Sequence, residues 1–348
     1  MLKKLLLPLI FCLFLAGCTP GQTDPSAPDA PDETQEFSTT IFAMDTVMDL
    51  KIFGGSQAVL DEAAGLITSL EQELSTTDAG SEIYALNHSG SAALSENSAY
   101  LMRRALELCK ETHGALDISI YPVVRTWGFT TGDYRIPTQE ERDALLAHVD
   151  HTKVQLSDDD VVTIPQGMEL DLGSIAKGYT GDVVTDYFRS QGITSALLNL
   201  GGNVQTVGTK PDGSLWRIGV QDPENPGAYL GVVAIEDQAV ITSGGYERYF
   251  VGEDGQTYWH IIDPATGAPA RSGVISATIV GREGARCDAL STSLFIMGAE
   301  KAEEFWRDHR DFDMILVTED RTVIVTPGLE GRFELTEDSG CTLKMLEP

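Results

Sequence analysis

Apolar residues recur at every third or fourth position through Val59, Leu60, Ala63, Leu66, Ile67, Leu70 and Leu74. That spacing lines one face of a helix. Leu101, Met102, Ala105, Leu106 and Cys109 repeat the pattern between Ser95 and Thr112. Thr138-Gln-Glu-Glu141 has the form of a capping box and opens a short helix toward Val149. A fourth helix is predicted from Ser174 to Gln191, with Gly192 as its stop. Strand signals then crowd together at Ala196–Leu200, Trp216–Gln221, Val232–Ile235, Ala239–Thr242, Tyr258–Ile262 and Val274–Val280. Helices return at Arg286–Met297 and Glu300–Arg310, and Met314–Thr318 with Thr322–Thr326 forms a hairpin around Glu319-Asp320. Strands and helices do not alternate strictly, so the predicted class is α+β, mixed sheets with packed helices.

Charge narrows the partners. The 348 residues are 42% hydrophobic, enough for a sizeable core, but 53 Asp and Glu face 24 Lys and Arg, a net −29. Replacing counterions along phosphates needs a basic surface, so no nucleic acid is expected as partner. Lys3 and Lys4 precede an apolar run, Leu5 to Leu15, that is too short to span a bilayer. It ends in Leu15-Ala16-Gly17-Cys18, which resembles a bacterial lipobox. Residues 1–17 thus read as a lipoprotein signal and Cys18 as the lipidated first residue. The expected location is the extracytoplasmic side of a bacterial cell membrane. Residues 18–36 are rich in proline and acid and read as a disordered tether, leaving 37–340 as the folded domain. Cys109, Cys287 and Cys341 are too few and too widely spaced for a disulfide framework.

Four clusters carry candidate chemistry. Asp171-Leu-Gly-Ser-Ile-Ala-Lys-Gly178 sits at a strand-to-helix junction, where free N–H groups and Lys177 suit an anion. A capped surface helix with a solvated lysine accounts for it equally. Asn199–Asn203 and Ser243–Arg248 each hold paired glycines, which serve a ligand or a plain turn. His260, in Tyr258–Pro264, is either a general base or a hydrogen-bonded core histidine. Asp288 and Thr292, four apart on a helix, offer hard oxygens for a cation such as Mg²⁺, a pair that also arises by chance in an acidic chain. There is no His-Glu-x-x-His, no paired Cys-x-x-Cys and no Gly-x-Ser-x-Gly.

Taken in series, these clusters join Met44-Asp-Thr46, Ser75-Thr76, Ser81-Glu-Ile83, His113–Asp117, Trp127-Gly-Phe129, Gly219–Pro223 and Asp288–Gly298. The series resembles the ApbE family of flavin:protein FMN transferases, from Phe37 to about Thr326. The resemblance implies a T-fold-like α+β architecture. It also implies FAD and Mg²⁺, with FMN transferred to a Thr or Ser hydroxyl of an acceptor protein and AMP released. Acceptors would be extracytoplasmic flavoproteins such as membrane redox-complex subunits. Carried over by motif, Met44, Ala115, Leu116, Asp117, Asp171, Lys177 and Ile262 would contact FAD. Ser174, through its carbonyl, with Asp288 and Thr292 would hold the metal, and His260 would be the base. The chain departs from the family pattern at Asp45, Thr77, Leu116, Gly245 and Trp259, which bears on flavin stacking more than on the metal. The alternatives are a Mg²⁺-dependent FAD pyrophosphatase and a non-catalytic FAD-binding lipoprotein.

Overall fold

The computed structural model describes residues 34–225 and 227–348. The predicted signal, Cys18 and nearly all of the tether lie outside the described residues. Nine strands form one sheet, and their order across it is their order along the chain. They are β1 (Glu36–Ala43), β2 (Thr46–Phe53), β3 (Ser195–Leu200), β4 (Asn203–Val207), β5 (Ala239–Gly244), β6 (Val274–Gly281), β7 (Asp313–Thr318), β8 (Thr322–Val325) and β9 (Thr342–Met345). Every neighbouring pair is antiparallel except β8 with β9. Leu346 beyond β9 is buried, so the folded body reaches from Glu36 past the expected end at 340.

Alternation along the strands assigns the two faces. Ile241 of β5 and Ile279 of β6 pack with α4 (Gly284–Met297) and α5 (Ala299–His309), whereas Val240 and Val280 point the other way. That second face is covered by a three-stranded sheet of Trp216–Gln221, Tyr229–Ile235 and Phe333–Leu335. Beside α4, α1 (Gln57–Leu74) and α3 (Gly173–Ser190) cover β2 and β3. The predicted stripe of α1 is buried through Leu60, Ala63, Ile67, Leu70 and Leu74, each large side chain stabilising the fold by about 1.5–3 kcal/mol. Helix α2 (Glu96–Glu111) packs in the core that also holds Leu116 and Leu170. The α+β expectation holds, and both arms of the Thr138/Glu141 capping box form.

Two elements differ from the sequence reading. Tyr258–Ile262 is not one strand. Thr257–Trp259 pairs with Tyr249–Val251, Ile262–Asp263 pairs with Ala268–Pro269, and His260 lies in the break between them. The turn at Asp263, whose carboxylate accepts the Ala265 N–H at 2.8 Å, bends the chain away after His260. The β1–β2 hairpin was not foreseen because its two-residue turn is Met44-Asp45, both at positive φ (49° and 60°) where Gly or Asn is usual. The turn is held by the Met44 N–H donating to Glu71 at 2.6 Å. The β3–β4 turn, by contrast, uses Gly201-Gly202, and a Cβ on Gly201 would lie 2.2 Å from Thr46.

Candidate active site

The site is built where α3 crosses α4. A Cβ on Gly178 would stand 2.1 Å from the Gly284 carbonyl, and one on Gly284 would stand 1.8 Å from Gln205 Nε2. No side chain fits between the helices, so their backbones touch. Gln205 fills the remaining polar gap by donating Nε2–H to the Gly178 carbonyl at 2.7 Å. The helices then serve each other's termini. Asp182 of α3 accepts the Gly284 and Ala285 N–H groups at 2.6 and 2.8 Å, capping α4. Burial nevertheless pushes the Asp182 carboxyl up to about 7. In the other direction Asp288 Oδ2 of α4 accepts the Gly178 N–H at 2.8 Å.

That last bond involves Asp288, one of the three residues expected to hold a metal. In a regular helix the Gly178 N–H faces the Ser174 carbonyl. Its bond to Asp288 brings the carboxylate to the first turns of α3, where Ser174 lies. Thr292, one turn further along α4, lies 3.2 Å from Ser243 Oγ, at the end of β5. Asp288 Oδ1 has no partner among the described residues. A carboxylate, a carbonyl and hydroxyls are hard oxygens, and no group of three or more His, Cys, Asp or Glu side chains gathers among the described residues. Such a set fits Mg²⁺ that shares its shell with substrate phosphate. Helix α3 opens at Gly173, one residue before the predicted start. Asp171, two residues before it, accepts the Gly173 N–H at 2.9 Å, and burial raises the Asp171 carboxyl.

His260 stands at the end of its ribbon with both its N–H (3.1 Å) and its Nδ1 (3.2 Å) against the Arg248 carbonyl. A carbonyl only accepts, so Nδ1 carries the proton and the Nε2 lone pair is free. Desolvation lowers the imidazole to about 4, with the Arg248 and Lys177 charges adding to the effect. Glu247 is pushed the other way, to about 7, by desolvation and the Asp288 charge, against the pull of Lys177 and Arg248. Glu247 is nonetheless open to solvent and His260 half-buried. The two groups are ringed by protein yet reached by water, and so mark a cleft. Glu247 and Arg248 were missed as individuals, although the Gly-rich Ser243–Arg248 run marked their position.

The remaining predicted residues divide. Asp171 feels the charges of Lys177 and Arg248, and Lys177 also acts on both His260 and Glu247. Met44 is tied to α3 by the Thr180 hydroxyl, 3.8 Å from its sulfur. Ala115 is half-buried, but Leu116 packs into the α2 core and Ile262 packs with Val123, Trp127 and Phe129. Any ligand contact from these two runs through their main chain. Asp117 is committed to neighbours: Oδ1 takes Ser119 N–H and Oγ–H at 2.9 and 2.6 Å, and Oδ2 takes His151 N–H and Nδ1 at 3.2 and 2.9 Å. A separate cavity of about 490 Å³, between Arg286, Cys287, Trp306 and Asp313, includes none of the predicted residues.

Comparison with known proteins agrees with this geometry. The sequence profile of the ApbE family matches residues 44–316. The FAD:protein FMN transferase of Klebsiella pneumoniae is 33% identical over 86% of this chain and 95% of its own length. That of Vibrio cholerae is 32% identical over 86% and 89%. Among solved structures, the ApbE protein of Thermotoga maritima superposes with a TM-score of 0.76 at 29% identity, covering 87% of this chain and 97% of that one. The flavin transferase ApbE of Vibrio cholerae gives 0.74 at 29% identity, over 82% and 94%. A match this long, with α3, α4 and the cleft all inside it, leaves one conclusion: the chain belongs to the ApbE family.

Proposed function

We propose that the protein is an FAD:protein FMN transferase that moves FMN from FAD to a threonine, or serine, hydroxyl of an acceptor protein and releases AMP. The observation that supports this reading is the Asp288–Gly178 bond, which brings the Asp288 carboxylate to α3 next in sequence to Lys177, whose charge in turn acts on His260. The names of its relatives support the same chemistry.

The bond that forms joins the acceptor oxygen to the phosphorus of the FMN half. The bond that breaks is the pyrophosphate P–O to AMP, which leaves with the electron pair. Ser174, Asp288 and Thr292 would hold Mg²⁺, which supplies charge neutralisation on the pyrophosphate. Lys177 and the Ser174 N–H in the first turn of α3 stabilise the phosphoryl oxygens. His260 Nε2 accepts the hydroxyl proton. An imidazole near 4 is a weak base, which suffices where the transition state is loose and the nucleophile sheds its proton late.

Incubation with FAD, Mg²⁺ and an acceptor tests the reading. Flavin that stays on the acceptor through a denaturing gel is the expected result. Free FMN with AMP would instead make the protein a pyrophosphatase, a reading favoured by the solvent-open cleft around Glu247. Unchanged FAD would make it a binder. We infer as well that Cys18 anchors the protein on the extracytoplasmic face. The lipobox-like sequence supports this, and no helix among the described residues is long and apolar enough to cross a membrane.

A further inference from the structure

The ribbon that ends in His260 is two strands wide. Tyr249 stands opposite Trp259, Phe250 opposite Tyr258, and Val251 opposite Thr257. The His260 N–H donates to the Arg248 carbonyl, and the Gly252 N–H to the Gln256 carbonyl. Bonded and non-bonded pairs alternate along an antiparallel ladder. Phe250 and Tyr258 are therefore the bonded pair between them, and the main-chain groups of Tyr249 and Val251 point away from the partner strand. On the far side of the ribbon the matching outward carbonyl, Thr257, is taken by Arg271 Nη2 at 2.7 Å. Nothing among the described residues takes the outward groups of Tyr249 and Val251.

The side chains follow the same pattern. Phe250 packs inward against Tyr134 and Tyr258, whereas Tyr249 and Val251 are 51% and 61% exposed. Free main-chain donors and acceptors flanked by apolar side chains at alternate positions are a template for another strand. Folded proteins blunt such edges by keeping them short or with lysine, proline or a bulge; Tyr249–Val251 is short, three residues, but no lysine, proline or bulge interrupts it.

We propose that this edge binds the acceptor polypeptide. An extended segment with small or apolar side chains at alternate positions adds as a third strand along Tyr249–Val251, and the residues that continue past its Arg248 end carry the hydroxyl around to His260 on the other strand. The proposal rests on the transferase reading. The edge runs directly into Arg248, whose carbonyl fixes His260, so one short stretch of main chain holds both the docked strand and the base. A small hydroxylic molecule would have no main chain to pair there. Glu253 and Asp254 lie exposed at the ribbon tip, away from His260. With the chain's net −29, they match Lys or Arg where the segment leaves the ribbon.

The test uses the whole protein with FAD, Mg²⁺ and a synthetic peptide: valines at alternate positions, a lysine at one end and a threonine a few residues past the other end of the valine run. Two further peptides carry backbone N-methyl groups on alternate residues, in opposite phases. Methylation in the phase that faces the edge should raise the peptide KM about tenfold, as expected for losing one or two main-chain hydrogen bonds, while the other phase leaves it unchanged. Val251→Pro removes the outward donor without touching the ribbon's own bonds and should raise peptide KM similarly at unchanged FAD affinity. Val251→Thr should not. Equal tolerance of both methylation phases, or a Val251→Pro protein that binds FAD and keeps the wild-type peptide KM, overturns the proposal. Dimerisation that Val251→Pro abolishes would assign the edge to a second copy and also overturn it. FAD cleavage by the wild type with no flavin on the unmethylated peptide or on a whole acceptor protein defeats the transferase reading itself.

Discussion

Asp288 Oδ2 accepts the Gly178 N–H at 2.8 Å across a crossing where neither helix has room for a side chain. The bond joins residues 110 positions apart and ties the proposed metal-binding carboxylate to the helix proposed to face the phosphate. Structure and chemistry can be separated there. Asp288→Asn keeps an oxygen for the Gly178 N–H but loses the charge. It should melt near wild type and lose Mg²⁺-dependent turnover. Asp288→Ala orphans a buried donor and should cost about 1–3 kcal/mol as well. Thermal melts and Mg²⁺ titrations of both variants check this; normal turnover of Asp288→Asn at limiting Mg²⁺ would dismiss the metal assignment.

The crossing makes a steric prediction. Gly178→Ala places a methyl against the Gly284 backbone, and overpacking of this kind costs about 1–3 kcal/mol. Because α3 and α4 must separate, Mg²⁺ affinity should fall with stability. Gly65→Ala, in α1 with nothing within 4 Å of the new Cβ, should instead stabilise by about 1 kcal/mol. Denaturant unfolding of the two variants compares them directly.

His260→Asn should bind FAD normally and transfer FMN about 10²–10⁴-fold more slowly, the range for losing a general base. The structure also sets the pH dependence. The free-enzyme imidazole is lowered from 6.5 to about 4 by desolvation, so it stays neutral through mildly acid pH. The kcat/KM profile should therefore show no histidine limb near 6.5 and fall only as pH approaches about 4. A limb at the ordinary histidine value would mean that the cleft is wetter than described.

Asp117 and His151 form a pair whose stabilisation has a pH window. The Asp117 hydrogen bond raises the His151 imidazole. Burial alone would raise Asp117, but its hydrogen bonds from His151 and Ser119 outweigh this and hold it low. The histidine contribution is complete below 6.5 and is lost as pH rises through its raised value. The aspartate contribution is complete above 3.8 and is lost as pH falls through its lowered value. Stability from the pair should peak between these limits. Replacing His151 by Ala should flatten the decline on the alkaline side, which chemical denaturation at several pH values would reveal.

Cys18→Ser should leave the chain without its lipid and move it from the membrane to the soluble fraction of cells. Retention on membranes after a salt wash would point to another anchor.

Periodicity, caps and turn residues act within a few positions of chain, and so the stripe of α1, the Thr138 capping box and the β7–β8 hairpin were legible from the amino-acid order. So was the series of short motifs that marks the family, since each motif is local. The β1–β2 hairpin was not legible, because its turn takes Met44 and Asp45 into a conformation that costs roughly 1–2 kcal/mol for residues other than glycine, and part of what holds it comes from Glu71 and α3, distant in sequence. His260 could be named as a base or a core residue, but its tautomer depends on the Arg248 carbonyl and its low proton affinity on the mass of protein around it. The open edge at Tyr249 and Val251 likewise exists only in three dimensions. Which main-chain groups a strand leaves free is decided by where its partner sits, and pairing between segments brought together by folding has no signature in either segment alone.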